Sequence, residues 1–556
     1  MVNSNAKTPG VSSLSPWLVL ALVCLPVFIG ALDLTIVSAV LPTVIFELQI
    51  PAQTGLDDAA WVVSGYLLAY AVSMTFMGRV SDLYGRRRVF LVCLAIFFFG
   101  SWWVAATEGA PAQLAFRLAR LITGERPDRS MMALYALVAG RAVQAFGAGA
   151  MVPVSMALVG DLFPPARRAA PLGLVGAIDT AGWVLGHLYG GIMVQYFPWQ
   201  FLFWLNLPIV ALAFALIWWM LRGLRQTLAA GGVDWPGTAL ISLSLIGLNV
   251  GLAANESTSG LALPDKSPPY AVPVLVGAAV ALLAFLWVER RAGSPLLNLR
   301  RFADRNVRSA ATTNLLVGFC LMVGLVSVPL LINAVGLRTS EESGLGALVS
   351  GYLLSAFTVP MALAALPGGL LADRLGLRWT TVLGLALALA GFSLMSQWRP
   401  EMARHAVEWV GALSSGAAAT TEMQQSVGRM AAGLLLAGVG LGMTIAPIGT
   451  AVINAVPDSE RGVASALVII LRLVGMTISV SAMTTYGVRR AATLLKTALA
   501  GVPLTEAETI GRVTQEVTTR VTGEMALIAA GVCLLALAAA MWMRAGNRQR
   551  MQNRFA

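Results

Sequence analysis

Gly78 to Arg88 reads GRVSDLYGRRR, and 291 residues later Gly369 to Trp379 reads GLLADRLGLRW, with Gly, Asp and Gly at matching positions. The same offset carries Gly147 and Gly149 onto Gly438 and Gly440. A spacing that recurs over half a chain marks an internal duplication. Both segments stand between long apolar stretches. The 556-residue chain is 57% hydrophobic and 12% charged, with a mean hydropathy of +0.76. Soluble domains do not have that composition. The solvent is lipid, in which roughly 20 apolar residues cross a hydrocarbon core about 30 Å thick.

The net charge of +11 does not imply nucleic acid, because the basic residues fall in short clusters between apolar stretches and form no single soluble face. The four cysteines, Cys24, Cys93, Cys320 and Cys533, lie inside apolar stretches and give no disulfide framework. The run from Trp17 is too long for a cleaved signal peptide and is interrupted by Asp33, so it reads as the first membrane helix. Fourteen spans are expected, near 17–41, 59–78, 89–106, 131–153, 170–194, 201–221, 236–254, 270–289, 309–332, 347–370, 379–398, 431–452, 463–486 and 525–543. With the amino terminus inside, inner loops and termini hold 22 of the 38 Lys and Arg, and the short outer loops hold only Lys266 and Arg338. Both termini are therefore expected to be cytoplasmic.

The duplication groups spans 1–6 and 9–14 into two six-helix bundles, with spans 7 and 8 as an inserted hairpin. The expected fold is an all-α polytopic membrane protein of the major facilitator plan, divided at 1–222, 223–300 and 301–556.

Seven motifs lie in order on this topology. They are ALDLTIVSAVLP in span 1, GRVSDLYGRRR after span 2, GRAVQAFGAGA in span 4 and PWQFLFWLNLPI at span 6. DWPGTAL opens span 7, SPLLNLRRF precedes span 9, and PDSERGVASAL opens span 13. In this set the chain resembles the 14-helix drug:proton antiporter branch of the major facilitator superfamily. The resemblance implies a non-enzymatic, monomeric, multidrug-efflux type antiporter of a prokaryotic cytoplasmic membrane. It implies lipophilic or amphipathic, cationic substrates, protons as coupling ion, membrane lipids around it, and no cofactor, metal or nucleic acid. Two features depart from the branch. GHLYGG places His187 where proline is usual in span 5, although Gly182, Gly186, Gly190 and Gly191 remain as a helix-packing motif. Three long outer insertions, 107–130, 399–430 and 487–523, are also present.

An ionised side chain at mid-bilayer costs from about 3 to over 10 kcal/mol, so it persists in pairs or beside water. Asp33, Arg141, Asp179 and Arg472 are such residues, read either as buried structural pairs or as carriers of protons and substrate. Asp33 is expected to follow a turn at Pro26, and its apolar neighbours penalise its charged form, which suits proton binding and release. The resemblance adds that this acidic position and Arg141 serve proton transfer or cationic substrates. Asp179 and Arg472 each lie 11 residues after a loop arginine, Arg168 and Arg461, hence about 16 Å deep. They are expected to be symmetry mates of opposite charge, whether or not they touch. Gly78, Asp82, Gly85, Arg86 and Arg87 form the gating motif. By resemblance, Asp82 latches onto the amino end of span 13 near Gly462 and Val463.

The insertions carry amphipathic stripes, Leu114, Leu118, Leu121 and Ile122 opposite Arg117 and Arg120, then Met402, Ala406, Val407, Val410 and Leu413, then Ile510, Val513, Val517 and Val521. They read as interfacial helices or as helices packed on the bundles. No lysine stands in a Walker loop, so transport is secondary. Lipid export, with the first two insertions guiding lipid outward, is the alternative to drug export. A membrane enzyme would need a base or metal cluster that the two distant histidines do not make.

Overall fold

The computed structural model describes residues 15–50, 61–124, 126–222, 226, 228–229, 231–253, 270–292, 303–333, 340–416, 418–499 and 507–544. Its first half contains α1 (Pro16–Glu47), α2 (Trp61–Tyr84), α3 (Arg86–Ala105), α4 (Ala110–Thr123), α5 (Arg129–Leu162), α6 (Ala169–Tyr196) and α7 (Gln200–Met220). In the middle lie α8 (Trp235–Ala253) and α9 (Ala271–Glu289), which pack on one another. The second half repeats the first with α10 (Arg305–Asn333), α11 (Ser340–Leu375), α12 (Leu377–Met395), α13 (Pro400–Ser415), α14 (Thr421–Ile453), α15 (Arg461–Ala498) and α16 (Ala507–Met541).

The duplication extends to local detail. Gly85 between α2 and α3 has φ 94°, and Gly376 between α11 and α12 has φ 89°. Both are left-handed conformations that suit only glycine, and they stand 291 residues apart. Side chains cap the helices that follow the outer insertions. Asp128 accepts from the Ser130 N–H at 2.8 Å to start α5, and Thr420 accepts from the Met423 N–H at 3.3 Å to start α14.

In the first bundle α1 packs on α6, and α2 and α3 pack on α5; in the second, α11 and α12 pack on α14 and α10 packs on α15. In lipid no hydrophobic drive brings helices together, so close backbone approach through small residues takes its place. A Cβ at Gly147 would run into the backbone of Cys93 and Phe97, and one at Gly440 into that of Gly384 and Ala388.

Among the described residues twelve helices are long and apolar enough to cross a membrane, and the described apolar stretch of α8, Trp235–Gly251, is shorter. Two expectations change. Pro26 sits inside an unbroken α1, not at a turn before Asp33. The insertion at 487–523 continues its flanking spans as helix, α15 running to Ala498 and α16 beginning at Ala507. Its stripe explains why: Val517 and Val521 are buried and Val513 packs against them. Arg490 holds Glu524 across the two helices at 2.9 Å. The loops with Lys266 and Arg338, the motif SPLLNLRRF and the side chain of His187 lie outside the described residues.

Candidate coupling and gating sites

Asp33 on α1 and Arg141 on α5 are both wholly buried and form an ion pair at 2.7 Å within the first bundle. The guanidinium also donates to the Asp33 carbonyl at 3.0 Å and to Gln144 Oε1 at 2.7 Å. Gln144 in turn donates to Ser101 Oγ on α3 at 2.8 Å, and Asn206 of α7 reaches the other Asp33 oxygen at 3.4 Å. Burying two charges is sustained only by such added partners. Tyr66 on α2 lies under the guanidinium, 4.0 Å from its ring centroid, and donates from its hydroxyl to the Gly30 carbonyl at 3.1 Å.

Asp179 on α6 and Arg472 on α15 do touch, at 3.2 Å, which makes them an ion pair between the two bundles. Tyr66 stacks on Tyr70 with centroids 6.0 Å apart, so the stack that begins at the Arg141 guanidinium continues along α2.

At the Gly85 end the bundles are clamped. Asp82 Oδ1 accepts from the Gly462 N–H at 2.9 Å and Oδ2 from the Val463 N–H at 3.2 Å, where the positive end of α15 points at it. Gly78 allows this approach, since a Cβ there would meet the Gly462 carbonyl. Arg86 binds Asp82 at 3.1 Å, the Asp458 carbonyl at 2.9 Å, and Asp161 of α5. Arg461 of α15 crosses to the other oxygen of Asp161 at 3.0 Å. Arg168 donates to Asn454 across the bundles at 2.9 Å. Burial, with repulsion from Arg461 and Arg86, pushes its guanidinium down to about 10, which leaves it cationic at neutral pH. Arg87 stands apart and donates to the Trp218 carbonyl at 2.7 Å.

Gly182 and Gly186 line the α6 face against α1, where a Cβ would meet Ala31 and Thr35 respectively; Gly190 lies one turn further along the same helix, followed by Gly191.

Residues 23–480 match the Major Facilitator Superfamily. The chain belongs to this superfamily. Among superfamily proteins, a triacylglyceride transporter of Mycolicibacterium hassiacum is 32% identical over 95% of this chain and 92% of its own. A triacylglyceride transporter of Mycobacterium tuberculosis is 32% identical over 92% of this chain and 91% of its own. The fold is that of the proton:xylose symporter XylE, seen in a double Trp mutant (TM-score 0.54, 13% identity, 97% of this chain and 98% of that one). The human organic anion transporter MFSD10 shares it (TM-score 0.52, 15% identity, 95% and 100%). The two relatives at 32% identity carry the triacylglyceride name, where the sequence motifs were read as those of a drug:proton antiporter branch.

The superfamily repeat also brings in residues that the sequence reading passed over. Asp373 is the echo of Asp82, and it lies on α11 where Gly369 packs against the backbone of Ala169 and Ala170 at the start of α6. The matching Asp in GLLADRLGLRW was its signal. Asp161 carried none, being an acidic residue near a helix end until two arginines from separate helices meet on it. Tyr66, Gln144 and Asn206 were hidden for the same reason, since their value lies in convergence on Asp33 from α2, α5 and α7.

Proposed function

We propose that the chain exports an apolar lipid of the triacylglyceride class by alternating access, driven by proton entry. The observation that carries this reading is the name shared by relatives matched over more than nine-tenths of both chains. A neutral lipid offers no charge to a buried carboxylate, so Asp33 is left free for the proton. Protonation of Asp33 removes the counterion of Arg141, and the Tyr66 and Tyr70 stack relays the rearranged guanidinium to Asp179 and Arg472. That inter-bundle pair and the clamp around Asp82 open in alternation with the far side.

The membrane arrangement belongs to the same proposal. Fourteen helices cross a prokaryotic cytoplasmic membrane, with α8 and α9 as a hairpin in 223–300 between bundles at 1–222 and 301–556. The Asp82 end and both termini face the cytoplasm. The protein works as a monomer without cofactor, metal or nucleic acid, with protons, lipid substrate and membrane lipids as its partners.

Drug export remains the second reading, favoured by the motif set and by an acidic residue in α1 that suits a cation. Proteoliposomes under an imposed pH gradient separate the two. Export of a fluorescent triacylglyceride with little movement of a cationic dye is the expected result. Dye efflux without lipid efflux would replace lipid export with drug export, and neither responding to the gradient would remove proton coupling.

A further inference from the structure

The two repeats each carry an amphipathic helix at the end remote from the clamp, and the two are used differently. α13 turns Ala403, Ala406 and Val410 into the second bundle, where all three are buried. α4, its counterpart, buries only Pro111. Leu114 and Leu118 are half exposed, and Leu121 and Ile122 are 82% and 81% exposed.

At 3.6 residues per turn α4 divides into three sectors. Ala112, Ala115, Phe116 and Ala119 share one side and are partly buried, and the helix packs on α5. Leu114, Leu118, Leu121 and Ile122 share the second. Gln113, Arg117 and Arg120 share the third, and all three are exposed. α4 contains no acidic residue. In water the leucine sector would stand in the wrong solvent. A single position satisfies all three sectors, namely the water–lipid interface beside the bundle, with protein on one side, acyl chains on the next and head groups on the third. The depth agrees. α3 spans 20 residues from Arg86, about 30 Å, the thickness of the hydrocarbon core, and α4 begins five residues after its end. Trp102, partly exposed near that end of α3, stands where an aromatic belt stands.

We propose that α4 lies in the plane of the leaflet remote from the Asp82 clamp, with its leucine sector among acyl chains and Arg117 and Arg120 on the phosphodiester groups of anionic phospholipids. This anchor is independent of what the protein transports. It fixes one side of the far opening to the bilayer, while α13 holds the opposite side to the protein.

The test uses the full-length chain in nanodiscs. The native cysteines are buried, so a fluorophore on Leu118→Cys, with Ile122→Cys as a second reporter, labels α4 selectively. Both positions are exposed, so neither change disturbs packing. The expected result is quenching by doxyl-labelled lipid and protection from aqueous iodide. Doxyl-phosphatidylglycerol should quench in preference to doxyl-phosphatidylcholine, by about fivefold for each arginine, and Arg117→Gln with Arg120→Gln should abolish the preference. Iodide quenching without doxyl quenching would place the face in water, and protection from both quenchers would place it under protein; either result would overturn the proposal. Equal quenching by both lipids in the parent chain would overturn the anionic selectivity.

Discussion

Asp82 and Asp373 stand 291 positions apart, and each lies against the amino end of a helix in the opposite bundle: Asp82 accepts from the Gly462 and Val463 N–H groups of α15, and Asp373 lies where α11 meets the start of α6 at Ala169 and Ala170. The clamp is thus duplicated along with the fold. Each carboxylate meets the positive end of a helix macrodipole, and each such contact holds the two bundles together at one end.

Replacing either carboxylate by its amide keeps shape and removes charge. Asp82→Asn is expected to shift the population open at this end about tenfold, or ~1.4 kcal/mol, the scale of a charge-assisted contact at a helix terminus, and Asp373→Asn, at an exposed carboxylate, by a smaller factor. Being on separate helices, the two should add. Distances between spin labels on α2 and α15, and on α6 and α11, report the populations. A clamp held by Asp82 alone would show no shift in Asp373→Asn.

The inter-bundle pair separates stability from transport. Asp179→Asn leaves Arg472 buried without its counterion, a loss of about 3–5 kcal/mol when one partner of a buried pair is removed. Asp179→Asn combined with Arg472→Gln removes both charges and should recover most of the thermal stability while transport stays lost. Full transport in the double variant would reduce the pair to packing.

How far the sequence carried these sites depends on whether a signal is local. The offset of 291 residues placed Gly85 and Gly376, and their positive φ angles follow from it. Depth arithmetic put Asp179 and Arg472 at one level because helix rise is constant. Contact between them was not legible, since symmetry mates meet only if they lie on the pseudo-twofold axis, and that depends on bundle packing. Asp161, Tyr66 and Asn206 left no trace, because each acts through residues distant in the chain. The third insertion reads in sequence as an amphipathic helix, interfacial or packed on the bundles; that it prolongs α15 and α16 was not legible, because Glu524 and Tyr486 come beside Arg490 only in the fold.

Asp33 should be the proton site. It is wholly buried with its charge held by Arg141, and Asn206 completes its partners. Asp33→Asn keeps one of the two acceptor oxygens, leaves Arg141 buried without its counterion at a cost of about 3–5 kcal/mol, and cannot exchange a proton. Gradient-driven export per folded transporter is expected to fall at least tenfold, and Asp33→Asn combined with Arg141→Gln, which removes both charges, should recover thermal stability without recovering export. The measurement is substrate-stimulated proton flux in proteoliposomes, and flux equal to the parent chain would move the coupling site elsewhere.

The last prediction concerns α4 and α13. Because α13 buries Ala403, Ala406 and Val410 while α4 leaves its leucines outward, exchanging each for a short polar loop should have unequal consequences. Loss of the α13 contacts removes buried apolar surface at about 25 cal/mol per Å², so thermal stability should fall and transport of every substrate with it. Loss of α4 removes little buried surface and should leave stability nearly unchanged. If the far opening hands lipid to the leaflet beside α4, efflux of a fluorescent lipid should drop several-fold in that variant while efflux of a compact cationic dye, where measurable, is kept. Equal loss of both, or loss of neither in a stable protein, would detach α4 from the exit of lipid and leave it an anchor alone.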